Sequence, residues 1–143
     1  RNDGADAFTF EEALHTYVQI GDIKQVRLSG LAGVEYMDKV AGGRPRQGNE
    51  PIQITGETDR VYLNTPSTCT IADPALKREL RIAKQASGTT VVWNPWDKTG
   101  TIADLGADEA THFLCVETAN AREQTLNLAP GMEHILRAEI EVA

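Results

Sequence analysis

Apolar and polar positions alternate with a period of two along most of this chain. The segment from Met132 to Val142 shows the pattern most plainly. Met132, His134, Leu136, Ala138, Ile140 and Val142 share one side, and Glu133, Ile135, Arg137, Glu139 and Glu141 share the other. Such spacing predicts a strand with one buried and one solvated face. Comparable segments run over Phe8 to Gln19, Ile23 to Ser29, Ile52 to Thr55, Arg60 to Leu63 and Cys69 to Ala72. The series continues with Leu80 to Lys84, Thr89 to Trp93, His112 to Thr118 and Gln124 to Leu128. Turn formers separate them, among them Gly21-Asp22, Pro66-Ser67, Asp73-Pro74, Ser87-Gly88 and Pro130-Gly131. Many short strands at this spacing predict an all-β sandwich or barrel, mostly antiparallel, with little helix. Asp38 to Val40 and Ile102 to Glu109 are the two places with room for a helical turn. Ala41 to Glu50, rich in Gly, Arg and Pro, reads as an exposed flexible loop.

Composition narrows the partners. The chain has 143 residues, 41% of them apolar, which suffices for one packed domain or a part of a larger one. A net charge of −7 argues against a phosphate backbone or an anionic membrane as partner. No apolar run approaches the roughly 20 residues that span a bilayer. Arg27, Arg44, Arg46 and Arg60 form no phosphate-binding motif and read as solvated surface charges. Cys69 and Cys115 lie in apolar, strand-like contexts and read as free core thiols in a reducing compartment, by default the cytoplasm. The chain opens on Arg1-Asn2-Asp3-Gly4, without an initiator Met or a basic-then-apolar leader pattern. Its first strand begins with nothing ahead to protect an apolar edge, so residues 1–143 are expected to be part of a larger domain. An incomplete sandwich would expose apolar surface, and self-association is the expected consequence.

Four short stretches carry candidate chemistry. In Leu14-His15-Thr16-Tyr17, His15 is expected mid-strand, sharing a face with Ala13 and Tyr17. Its imidazole is either a hydrogen-bonded structural residue or an acid–base group. In Cys115-Val116-Glu117-Thr118, Glu117 is expected at the end of an apolar strand, on the face of Phe113 and Cys115. It is either turned to solvent or desolvated, and desolvation would raise its proton affinity toward that of a useful general base. Asp59, in Glu57-Thr58-Asp59-Arg60, either caps a turn or accepts hydrogen bonds from a ligand's hydroxyls. Trp93 and Trp96 bracket a turn; one is expected in the core, and Trp93 is the candidate to offer an aromatic face to a sugar ring. His112 and His134 lack an acidic companion of the kind Glu117 offers His15 and read as surface or strand residues. No metal-ligand spacing or nucleotide-binding motif is present.

The motifs LHTY, TDRVYLN, VVWNPW and CVET, in this order and spacing, resemble the carboxyl-terminal half of glucose-6-phosphate 1-epimerase-like proteins in the aldose 1-epimerase superfamily. GDI and LSGLAGVEYMDKV, lying between them, are similar to that family as well. The resemblance runs from about Phe8 to the chain end and implies part of a galactose mutarotase-like β-supersandwich. It further implies a cofactor-free isomerase that interconverts sugar anomers, with His15 as general acid, Glu117 as general base and Asp59 binding the sugar. The implied ligand is a hexose phosphate or a free hexose. A free-aldose mutarotase and a non-catalytic sugar-binding sandwich remain the alternatives. The His15–Glu117 pair argues for an enzyme, because sugar binding alone requires only Asp59 and a tryptophan.

Overall fold

The computed structural model describes residues 1–143 other than 50, 104 and 107. Among the described residues the chain forms twelve strands and three short 3₁₀ turns, with no α-helix. In chain order the strands are β1 (Phe8–Phe10), β2 (Glu12–Leu14), β3 (Tyr17–Gln19), β4 (Arg27–Ser29), β5 (Tyr36–Asp38) and β6 (Thr58–Tyr62). They continue as β7 (Cys69–Asp73), β8 (Arg78–Gln85), β9 (Thr89–Asn94), β10 (Phe113–Asn120), β11 (Leu126–Leu128) and β12 (Arg137–Val142). The strand pairs are antiparallel throughout. A six-stranded sheet runs β2-β10-β9-β6-β5, with β3 also on β10; a four-stranded sheet runs β12-β8-β7-β4; β1 and β11 make a separate ribbon. The all-β expectation therefore holds. No described helix is long and apolar enough to cross a membrane.

One face of each large sheet supplies the core. Leu114 and Val116 of β10, Val92 of β9 and Tyr62 of β6 meet Ile71 of β7 and Leu80 and Ile82 of β8, all nearly inaccessible to solvent. Cys69 and Cys115 are buried thiols outside any disulfide, as their contexts suggested. The opposite face of the six-stranded sheet holds the polar groups described below. β10 is buried along its whole length on both faces, which explains why it reads as an apolar run with no clean alternation.

Several expectations need correction. The segment Phe8 to Gln19 is three strands, because β1 pairs with β11 while β2 and β3 pair with β10. Of Ile23 to Ser29 only Arg27–Ser29 is strand, and Ile52 makes a single bridge to Leu28. Asp38 ends a strand instead of starting a helical turn: its carboxylate accepts the Val40 and Ala41 N–H groups (3.0 and 2.8 Å) and closes a turn. Between Ile102 and Glu109 the described residues form no α-helix, and residues 104 and 107 lie outside the description. The loop from Ala41 is exposed as expected, and its last residue, 50, also lies outside it.

The carboxyl-terminal strand is shorter than its pattern suggests, and its apolar side is not buried. Ile140 and Val142 are 45% and 62% exposed although they stand opposite the buried Ile82 and Leu80. β12 is the edge of its sheet, and the core face continues past the layer that covers it. The chain ahead of β1 is clamped. Asn2 is buried, and its amide donates to the Asp6 and Leu128 carbonyls (2.9 and 2.8 Å). Its backbone exchanges two further bonds with Gly131 and Met132.

Candidate active site

Cross-strand register assembles the site. On the face of the six-stranded sheet turned away from the core, Tyr17, Cys115, Trp93 and Asp59 lie side by side across β3, β10, β9 and β6. The neighbouring row on the same face runs Glu117, Val91, Val61 and Met37. Leu14 stands opposite Thr118 and Tyr17 opposite Cys115, so the register continues across the gap between β2 and β3. That continuity sets His15 opposite Glu117.

The gap has a local cause. The Thr16 N–H turns back to the Leu14 carbonyl (2.9 Å), and the Thr16 hydroxyl donates to the same oxygen (3.3 Å). Strand pairing lapses for two residues, so His15 lies between strands and not within one, as the alternation alone had suggested. Its ring is held by aromatic contacts. It stacks on Tyr17 (centroids 4.9 Å apart, 15° between planes) and meets Trp93 edge-on at 5.9 Å. Tyr17 and Trp93 in turn pack on Phe113 at 5.1 and 5.7 Å.

His15 Nε2 lies 3.2 Å from Glu117 Oε1. Glu117 is 6% exposed and sits in the middle of β10, which continues through Thr118 and Ala119 to Asn120. The solvent-facing, strand-end placement is thereby excluded. Burial pushes its carboxyl above the ordinary range, Asp59 pushes the same way, and His15 and Lys39 pull it back. A carboxyl so placed exchanges a proton more readily near neutral pH than an exposed one does.

Asp59 lies on β6, half-buried, with Lys39 Nζ 3.4 Å from its Oδ1. His15, Lys39, Asp59, Val91, Trp93 and Glu117 together line an open cleft of about 230 Å³. Four of these are the residues singled out in the sequence. Trp96 lies elsewhere, packed against the core beneath Lys24, and so takes the structural part of the tryptophan pair. A concavity of similar size, about 220 Å³, borders Trp96 and Lys24, but its described lining has neither an imidazole nor a buried carboxylate.

Lys39 escaped the sequence reading. The alternation through Tyr36, Met37, Asp38 and Lys39 was the available signal, once that stretch is taken as strand. His134 also differs from expectation: its Nε2 lies 2.7 Å from Glu12 Oε1, a partner far away in sequence. The four arginines do not line the cleft. Arg44 pairs with Glu35 and Glu123, Arg60 packs over Tyr36 near Asp38, and Arg27 donates to three backbone carbonyls. Arg46 donates to the Gly33 carbonyl. Among the described residues no group of three or more His, Cys, Asp or Glu side chains is arranged to hold a metal ion.

Fold and cleft together define a β-sandwich protein in which an imidazole and a buried carboxyl meet inside a small open cleft. The chain belongs to the aldose 1-epimerase family, which it matches over residues 1–141. It is 38% identical over 137 residues to a protein of Cenchrus ciliaris provisionally named glucose-6-phosphate 1-epimerase, covering 93% of this chain and 41% of that one. A similarly named Escherichia coli protein is 39% identical over 118 residues, covering 81% of this chain and 40% of its own length. Among solved structures, a provisionally named mutarotase from Salmonella typhimurium superimposes with a TM-score of 0.88 at 30% identity, covering 96% of this chain and 47% of that one. The chain thus spans less than half the length of these relatives.

Proposed function

We propose that residues 1–143 form the carboxyl-terminal part of one aldose 1-epimerase domain, and that the whole protein is a mutarotase acting on a hexose 6-phosphate. The observation that carries this reading is the contact of His15 with the buried Glu117 inside a cleft that also holds Asp59 and Trp93. O1 and the ring O5 of a pyranose are bonded to the same carbon, so adjacent base and acid groups suit them. Glu117 takes the O1 proton while protonated His15 gives its Nε2 proton to O5. The C1–O5 bond breaks and C1 becomes an aldehyde. Rotation about C1–C2 and reversal of both transfers close the other anomer. Asp59 accepts hydrogen bonds from the sugar hydroxyls, and Trp93 packs on the apolar C–H face. Two buried thiols outside any disulfide support the cytoplasm as the compartment.

The phosphate preference rests on the relatives' names. A free aldose is the second reading, and it is favoured by the position of Arg27, Arg44, Arg46 and Arg60 outside the described cleft lining. The test is NMR exchange spectroscopy of α and β anomers with the whole protein, using glucose 6-phosphate and galactose side by side. Faster exchange of the phosphorylated sugar is expected. Faster exchange of galactose alone moves the substrate to free aldoses, and sugar binding without faster exchange makes the protein a binding module.

A further inference from the structure

The cleft contains two carboxylates, Asp59 and Glu117, and a lysine that the reaction scheme does not use. Lys39 follows β5 directly. Its backbone N–H donates to the Asp59 carbonyl (2.9 Å), which extends the β5–β6 ladder by one residue and sets Lys39 opposite Asp59 on the cleft face. The direction of the chain there is fixed by Asp38, whose Oδ1 accepts the next two N–H groups, Val40 and Ala41. The ammonium arrives 3.4 Å from Asp59 Oδ1 while the side chain stays 43% exposed. It is the one Lys or Arg among the cleft's described lining residues.

Asp59 therefore has two neighbours of opposite effect. Its charge disfavours ionised Glu117, and Lys39 offsets that charge. We propose that Lys39 is a positioning residue: it fixes the Asp59 carboxylate for the sugar hydroxyls and balances its charge, which keeps Glu117 available as the base. This role rests on the mutarotase reading. The groups facing Glu117 are His15 from the β2–β3 break, Asp59 from β6, Lys39 beyond β5, and the Cys115 and Tyr17 side chains beside it. Of these, Lys39 alone is a basic side chain that can be removed without touching the acid–base pair.

Lys39→Met and Lys39→Arg in the whole protein test the assignment. The Glu117 carboxyl is followed by NMR with ¹³C-labelled glutamate, its signal identified by its loss in Glu117→Gln. In Lys39→Met the Glu117 titration moves to higher pH, and in Lys39→Arg it returns toward the native position. Anomer exchange in Lys39→Met falls several-fold at pH 6 and less at pH 8, as loss of ionised base requires, and KM rises with it. An unmoved Glu117 titration in Lys39→Met overturns the role of Lys39, whatever happens to activity. Native protein that fails to accelerate exchange overturns the mutarotase reading instead, so the two failures are distinguishable.

Discussion

A carboxylate with 6% exposure on an apolar strand weakens the fold whenever it is ionised. Glu117 should therefore show opposite effects on activity and stability. Replacing it with Gln is expected to cut turnover of the whole protein by roughly 10²–10⁴-fold, the usual contribution of one acid–base group, with sugar affinity largely kept. The same change should raise the thermal midpoint at pH 7. The folded carboxyl titrates above its ordinary 4.5, so its share of stability is complete below that value and is lost as pH rises through the folded value. The gain from Gln should thus vanish in melts below about pH 4, where both side chains are neutral. Circular-dichroism melts across pH check this, and a gain of equal size at pH 3 and pH 7 would count against it. The face shared by Phe113, Cys115 and Glu117 was legible from a period of two. The contacts of Lys39 with Asp59 and of His134 with Glu12 were not, because each depends on strands brought together by folding.

At the scale of elements, alternation marked most strands but could not say which strand pairs with which. The stretch from Phe8 to Gln19 reads as one strand, yet its first part answers to β11 and the rest to β10. β5 was missed because its three residues, Tyr36–Asp38, carry too little pattern and gain their conformation from β6. β12 was recognised, but its burial was misjudged, since a pattern reports which side is apolar and not what covers it. Turns hold the strands apart at specific points. Gly30, just after β4, has φ of +109°, and a β-carbon there would sit 2.1 Å from the Thr68 carbonyl oxygen ahead of β7. Both the backbone conformation and the close approach require glycine. Gly30→Ala should destabilise the fold by about 3 kcal/mol, from backbone strain and forced separation of β4 from β7. Urea unfolding measures the loss. Gly33→Ala, also at positive φ but with open space around its β-carbon position, should cost less.

Across the whole molecule the two large sheets are joined by apolar packing that a basic residue, Lys84, interrupts. Lys84 points from β8 between the sheets, where its Nζ donates to the Thr89 carbonyl (2.9 Å) and the Thr90 hydroxyl (2.7 Å) of β9. Among the described residues no carboxylate forms an ion pair with it. Burial lowers its proton affinity from the ordinary 10.5 to about 8. Between those values the unfolded chain holds a proton that the folded one has released, so stability rises with pH across that window. Buried thiol and phenol groups oppose the trend. Burial raises the Cys115 thiol above its ordinary 9.0 and the Tyr62 phenol from 10.0 to about 12. Each adds stability that is complete below its ordinary value and is lost as pH rises toward the folded one. The net gain in the native protein should therefore be confined to about pH 8–9, ahead of the thiol's loss. Lys84→Met keeps the volume and removes the charge, so its stability should show no rise in that interval and only the later fall. The difference between native and variant chains, from urea unfolding at pH 7, 8, 9 and 10, isolates Lys84 because the thiol and phenol are common to both. Parallel curves would mean that the ammonium reaches water in the folded state, and that the sheets close around a neutral core without it.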